Sequence, residues 1–407
     1  MNTKIFIVEF TSAGGFTSNV EEIESILIEG LAMLDTIIRD ALSGGFDVHA
    51  IVMDGLKSHD TIMNLDVNWN FLKRDEDLIE KCKKIASRVD YSFLIAPEFH
   101  DYLFTYTKVL ESLPAVLLSQ PSLQVEMGCD KESCMKKLKE RGISTPPTIK
   151  LDEFSGRSPI KYPVVVKPNK GAGCAGVFLV EGDDQLNEII QVEGTLGFNR
   201  ADLIVQSYIE GTSLSASAIG RGNTQLFLGI NEQDVSLSLS ESKYNGGMVG
   251  PTHPYLEKEC RRIAGIISET LDLRGFFGLD FILDKNHCIH VVEVNPRLTT
   301  SFVGLKVVND FSLTETLASL KQDKSSKASI NLNEEKFACY KILNLEKREQ
   351  MKDLISGLAR HAGLEKFLMF QRSDGSIDLF LLCTGTSKAS ASKNLKGIIK
   401  KLDQALV

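Results

Sequence analysis

Residues 4–10, KIFIVEF, form a nearly continuous apolar run, which predicts a buried strand. After the Gly14-Gly15 turn, apolar positions recur at helical spacing over 20–42, and Gly44-Gly45 closes that helix. A second apolar run at 48–53 predicts another strand, followed by a charged helix through Lys81. Strand runs at 91–96 and 115–118 flank a helix near 102–110. Strands that alternate with helices predict a parallel α/β domain over residues 1–125. The first turn reads TSAGGF, so the G-x-G-x-x-G dinucleotide fingerprint is absent.

From 126 to 320 the pattern changes. A helix over 131–141 stops at Gly142, and TPPT at 145–148 punctuates the chain. Strand runs follow at 162–168, 203–208, 214–219 and 226–229, then a helix over 256–271 and two strands flanking the turn at 284–287. Hairpins mixed with helices predict α+β construction. The glycines of SKYNGGMVG (242–250) suit either an ordinary turn or a mobile loop beside an acceptor substrate. Residues 321–335 are polar and rich in Ser, Lys and Asn, which predicts a linker. Beyond it, 336–407 reads as strand (337–343), helix (347–361), strand, strand and helix, with Gly375 in the hairpin turn. Alternation at Ile377, Leu379 and Leu381 predicts that this small α+β unit forms an independent sheet, dispensable for nucleotide binding.

The 54 acidic and 46 basic residues leave a formal charge of -8, which argues against a broad nucleic-acid or anionic-membrane surface. No apolar run approaches the ~20 residues needed to span a bilayer. The amino terminus has no signal-peptide arrangement, so the expected compartment is the cytoplasm. The eight cysteines are scattered without a C-x-x-C pair, and His287 and His290 have no matching ligand set for zinc. Reduced thiols are the expectation. A homo-oligomer stays open.

Candidate chemistry lies in three places. VVVKPNKGAGCAGV (164–177) delivers Lys167 from an apolar strand into a loop containing Gly171, Gly173 and Gly176. Glycines let backbone N–H groups approach phosphate oxygens, and lysine adds a point charge. No Gly-Lys-Ser/Thr follows, so the loop is not a Walker A sequence. GLDFIL (278–283) and IHVVEVNPR (289–297) form a predicted hairpin that sets Asp280 roughly opposite Glu293, with Glu293 and Asn295 on one face. Facing carboxylates in apolar strands repel unless a cation sits between them. Two carboxylates and an amide oxygen, completed by phosphate oxygens, suit Mg²⁺, with Mn²⁺ as an alternative. Arg297 follows closely enough to clamp a developing phosphoryl or carboxylate charge. LIVQSYIEG (203–211) is a buried strand whose end can meet an adenine edge or simply finish at a turn.

In this order the three features resemble the ATP-grasp superfamily, and that resemblance covers roughly residues 1–320. The resemblance implies a Rossmann-like N-terminal domain, then an ATP-grasp domain (126–320) whose central subdomain and C-terminal lobe clasp ATP. It implies that Lys131 and Lys167 hold the α- and β-phosphates and that the loop from Asn169 to Gly176 closes over them. Gln206, Ser207, Tyr208 and Ile209 would be the adenine hinge. Asp280, Glu293 and Asn295 would ligate Mg²⁺, and Arg297 would stabilise an acyl phosphate. The usual acidic ribose partner is replaced here by Thr212-Ser213, and Glu210 is the substitute to consider. IAPE (95–98) and NPRLTTSFVGL (295–305) look like the tyramine–glutamate ligases of methanofuran synthesis. That likeness implies small-molecule acid and amine substrates, L-glutamate through its γ-carboxylate and a phenolic amine such as tyramine. Another amino acid or peptide as substrate stays open, as does a non-catalytic ATP-binding sensor. A biotin-dependent carboxylase component shares the fold, but the chain has no Ala-Met-Lys-Met site.

Overall fold

Strands buried on both faces need no polar alternation, and the first apolar runs accordingly take the centre of a parallel sheet. A computed structural model of the protein describes residues 2–16, 20–57, 59–154, 158–192, 200–222, 225–240, 242–322, 335–346 and 363–405. The first sheet comprises β1 (Lys4–Glu9), β2 (Asp47–Met53), β3 (Asn68–Leu72), β4 (Tyr91–Ile95) and β5 (Val116–Leu117). Its order is β3-β2-β1-β4-β5, with every pairing parallel. Helix α1 (Val20–Ser43) covers it, joined by the single turn α2 (Asp60–Met63), α3 (Leu78–Ala86) and α4 (Tyr102–Glu111). The charged helix expected through Lys81 is corrected here. It begins only at Leu78, and the preceding stretch contains edge strand β3, whose Asn68 and Asn70 interrupt the apolar signal.

Helices α5 (Ser122–Cys129) and α6 (Lys131–Glu140) lead into a second sheet of β6 (Thr148–Lys150), β7 (Val164–Pro168), β8 (Phe178–Val180) and β9 (Leu203–Ser207). Its order is β6-β9-β7-β8, and α7 (Asp183–Val192) packs with it. The third sheet has eight strands. Five are β10 (Gly211–Gly220), β11 (Gln225–Ser236), β12 (Lys243–Val249), β13 (Phe276–Asp284) and β14 (Ile289–Asn295), with α8 (Pro254–Thr270) preceding β13. After α9 (Ser301–Val308) and α10 (Leu313–Lys321) come β15 (Phe337–Leu345), β16 (Leu364–Gln371), β17 (Ile377–Gly385) and a final helix, Lys388–Ala405. The order is β14-β13-β10-β11-β12-β15-β17-β16.

That order overturns two expectations. The C-terminal strands do not form an independent sheet, because β15 pairs antiparallel with β12 from Gly246↔Lys341 to Val249↔Ala338. The glycine-rich 242–250 segment is no loop, because its residues 243–249 are an interior strand between β11 and β15. Most of the expected 321–335 linker and the expected 347–361 helix lie outside the described residues. One buried apolar cluster joins Leu27, Leu31 and Leu34 of α1, Phe302 and Leu305 of α9, and Tyr340, Leu368 and Phe380 of the C-terminal strands. Lys366 of β16 adds an ion pair to Asp35 Oδ2 of α1 at 2.5 Å and donates to Thr36 Oγ1 at 2.6 Å. All eight cysteines are free thiols. Among the described residues, no helix is long and apolar enough to cross a membrane.

Candidate active site

A cavity of 270 Å³ opens where the three sheets meet. Clefts between structural units are where small-molecule sites concentrate. Its lining takes Lys131 from the start of α6, Lys167 from β7, and Gly171 and Gly173 from the following loop. Both lysines are almost fully buried, at 3% and 6% exposure. Lys131 Nζ donates to Gly171 O at 3.0 Å and lies 3.2 Å from Glu293 Oε1. Lys167 Nζ sits 3.9 Å from Glu293 Oε2 and 3.3 Å from Val292 O. The second contact exists because the β13–β14 register shifts beside Asp280, which takes Val292 out of the regular ladder. Burial lowers the Lys167 pKa, while the Glu293 charge opposes that fall.

The hairpin forms as its spacing predicts. Asp280 faces Glu293, and Gly278 faces Asn295. Asp280 Oδ1 accepts from Gln233 Nε2 at 2.9 Å, and its Oδ2 accepts from Asn295 Nδ2 at 2.8 Å. Burial first, and then the Glu293 charge, push the Asp280 carboxyl up to about 6. A cation between the two carboxylates removes that repulsion, so the donor set fits a hard divalent ion sharing its shell with phosphate oxygens.

Arg297 also lines the cavity and is pinned from behind. Its Nε donates to Glu98 Oε1 at 2.7 Å, which brings the two motif strings at 95–98 and 295–305 into direct contact. At the other end, Gln206, Ser207, Tyr208 and Ile209 line the cavity together. The N–H groups of Ser207 and Tyr208 are committed to Pro147 O and Pro163 O at 2.9 and 3.2 Å. An adenine edge there has to use other backbone groups of the segment.

Asn169, Gly176 and Glu210 stand outside the cavity lining. Asn169 braces the loop against α6: its Oδ1 accepts from Glu132 N at 2.9 Å, and its Nδ2 donates to Asp130 Oδ1 at 3.0 Å. Glu210 is exposed, and Ser213 of β10 lines the wall beyond the hinge.

Sequence reasoning missed two acids. Glu9 at the end of β1 is 2% exposed, with its carboxylate accepting from Thr11 N at 3.0 Å and Ser12 N at 2.7 Å. Glu29 of α1 accepts from Thr300 Oγ1 at 2.6 Å. Loss of hydration raises both pKa values. Gly30 makes room for this wall, since a Cβ there would meet Glu9 Oε2 at 2.5 Å. The available signal was Glu9 inside an apolar run, where an acid is costly without a purpose.

Lys167→Ala is expected to weaken binding of ATP by about 10- to 100-fold, the loss of one charge-assisted contact. Calorimetric titration with a non-hydrolysable ATP analogue checks this, and unchanged affinity removes Lys167 from the phosphate site.

Residues 129–301, which hold Lys131, Lys167, the hairpin acids and Arg297, match the family model of the ATP-grasp domain. The chain is 26% identical over 343 residues to the tyramine–L-glutamate ligase of Methanocaldococcus jannaschii, covering 82% of this chain and 96% of that one. It is 28% identical over 304 residues to the tyramine–L-glutamate ligase of Methanocaldococcus fervens, covering 74% and 89%. Among solved structures, the L-amino acid ligase from Bacillus licheniformis superposes with a TM-score of 0.70 at 15% identity, covering 98% of each chain. That superposition is a likeness of fold.

Proposed function

We propose that this chain is an ATP-grasp carboxylate–amine ligase that joins the γ-carboxylate of L-glutamate to tyramine or a related phenolic amine, as in methanofuran-type cofactor synthesis. One observation carries the reading: a single cavity is lined by lysines, paired carboxylates and Arg297, and also by the acids Glu9 and Glu29. The first group suits phosphates. The second suits an ammonium.

In this reading Lys131 and Lys167 exchange their contacts with Glu293 for phosphate oxygens. Asp280, Glu293 and Asn295 would hold Mg²⁺, which supplies Lewis-acid neutralisation of the phosphates when bound. Arg297, oriented by Glu98, faces the charge that develops as the acid's oxygen takes the γ-phosphoryl group. The amine arrives as an ammonium. Glu9 and Glu29 supply the negative wall it requires, and the raised proton affinity of Glu29 suits removal of its proton before attack. The amine nitrogen then displaces phosphate from the acyl phosphate, leaving amide, ADP and phosphate.

Hydroxylamine trapping tests the acid. Glutamate with Mg-ATP should yield the γ-hydroxamate, and replacing hydroxylamine with tyramine should yield γ-glutamyltyramine by mass spectrometry. If glutamate stimulates no ADP formation with any amine offered, the substrate assignment fails.

A further inference from the structure

We propose that Tyr340, contributed by the C-terminal strands, is a positioning residue that fixes the Tyr244 phenol in the cavity wall, making those strands part of substrate recognition. The proposal rests on the cavity being the substrate site, and not on which amine it takes.

Tyr244 of β12 lines the cavity, and its hydroxyl shares a hydrogen bond with the hydroxyl of Tyr340 on β15. Tyr340 is 2% exposed and stacks on Phe380 of β17, with ring centroids 5.7 Å apart and planes 17° apart. A buried phenol hydroxyl left without a partner costs about 1–3 kcal/mol, so the pair holds one geometry. With one side of the Tyr244 oxygen occupied by Tyr340, its remaining hydrogen-bonding capacity takes a defined direction.

The glycines of β12 serve this contact. The register sets Gly247 opposite Tyr340. A Cβ at Gly247 would lie 2.9 Å from the Tyr340 hydroxyl, and one at Gly246 would lie 2.2 Å from the Tyr340 carbonyl oxygen. The same C-terminal unit grips a second wall, because Lys366 anchors Asp35 and Thr36 of α1, the helix that places Glu29, Gly30 and Met33 on the cavity. Loss of hydration raises the Tyr244 pKa well above the ordinary phenol value, which keeps it a neutral hydrogen-bonding group at working pH.

The test uses the full-length protein and steady-state kinetics with whichever amine supports ADP formation, so failure of tyramine as substrate does not touch it. Tyr340→Phe keeps the stacked ring and removes only the hydroxyl. It should raise the amine KM about 5- to 30-fold, with ATP KM and kcat changed by less than about three-fold. Tyr244→Phe should do the same, and the double variant should be no worse than Tyr244→Phe alone, since one residue acts through the other. An unchanged amine KM in Tyr340→Phe, or additive effects in the double variant, overturns the proposal. Phe380→Leu loosens the same packing with both hydroxyls retained. An equal rise in amine KM there would assign the effect to packing and likewise overturn it.

Discussion

Asp280→Asn is expected to lower turnover by about a thousand-fold while leaving the ligand-free protein as stable as before, or more stable, at pH 7. The carboxyl it replaces is buried opposite Glu293 and titrates at about 6. A raised folded-state pKa means that the stabilising form is the protonated one. Its contribution is complete below the ordinary carboxylate range and is lost as pH rises through about 6. Asparagine avoids that loss but would offer a divalent ion no charge. Glu293→Gln should lower turnover comparably, with the opposite effect on stability. It leaves Lys131 and Lys167, now 3.2 and 3.9 Å from its oxygens, buried without their counter-charge, at a cost of roughly 3 kcal/mol. Thermal melts of the ligand-free variants beside steady-state assays separate the two effects. Near wild-type turnover in either folded variant would remove the hairpin from phosphate chemistry. In the wild type, the Mg²⁺ concentration for half-maximal rate should rise as pH falls below about 6, because protons then compete for Asp280. A flat Mg²⁺ requirement between pH 7 and 5 contradicts this.

Ending the chain at residue 335 should abolish folding, not merely trim an appendage. The cut removes β15, so the backbone groups of β12 from Gly246 to Val249 lose their ladder partners. It also strips Ala338, Tyr340, Leu368, Phe380 and Leu382 from the core cluster shared with α1 and α9. An unpaired edge strand beside freshly exposed apolar surface is an aggregation template. Size-exclusion chromatography and a far-UV melt of the shortened chain check this. A soluble, cooperatively melting truncation that binds Mg-ATP with full affinity would show that the C-terminal unit is separable after all.

Much of this molecule is local, and the local part was legible. Strand–helix alternation predicts the parallel sheet because the period of apolar positions follows from backbone geometry alone. The facing of Asp280 and Glu293 was legible for the same reason: one short turn sets the register of its own hairpin. Lys167 and its glycine loop are likewise contiguous in the chain. What the sequence did not contain is which distant segments meet. Glu98 and Arg297 stand 199 positions apart, and Tyr244 and Tyr340 stand 96 apart. Glu29 on an amphipathic helix looks like any solvent-facing acid until Thr300 closes over it. The pairing of β12 with β15 is the clearest case, because ladder hydrogen bonds join backbone groups that every residue carries. Residue identity could mark both segments as strands, or mislead with Gly246 and Gly247 into suggesting a loop. Only the packing of α1, α9 and the C-terminal strands around one core selects that partner and, with it, the shape of the cavity.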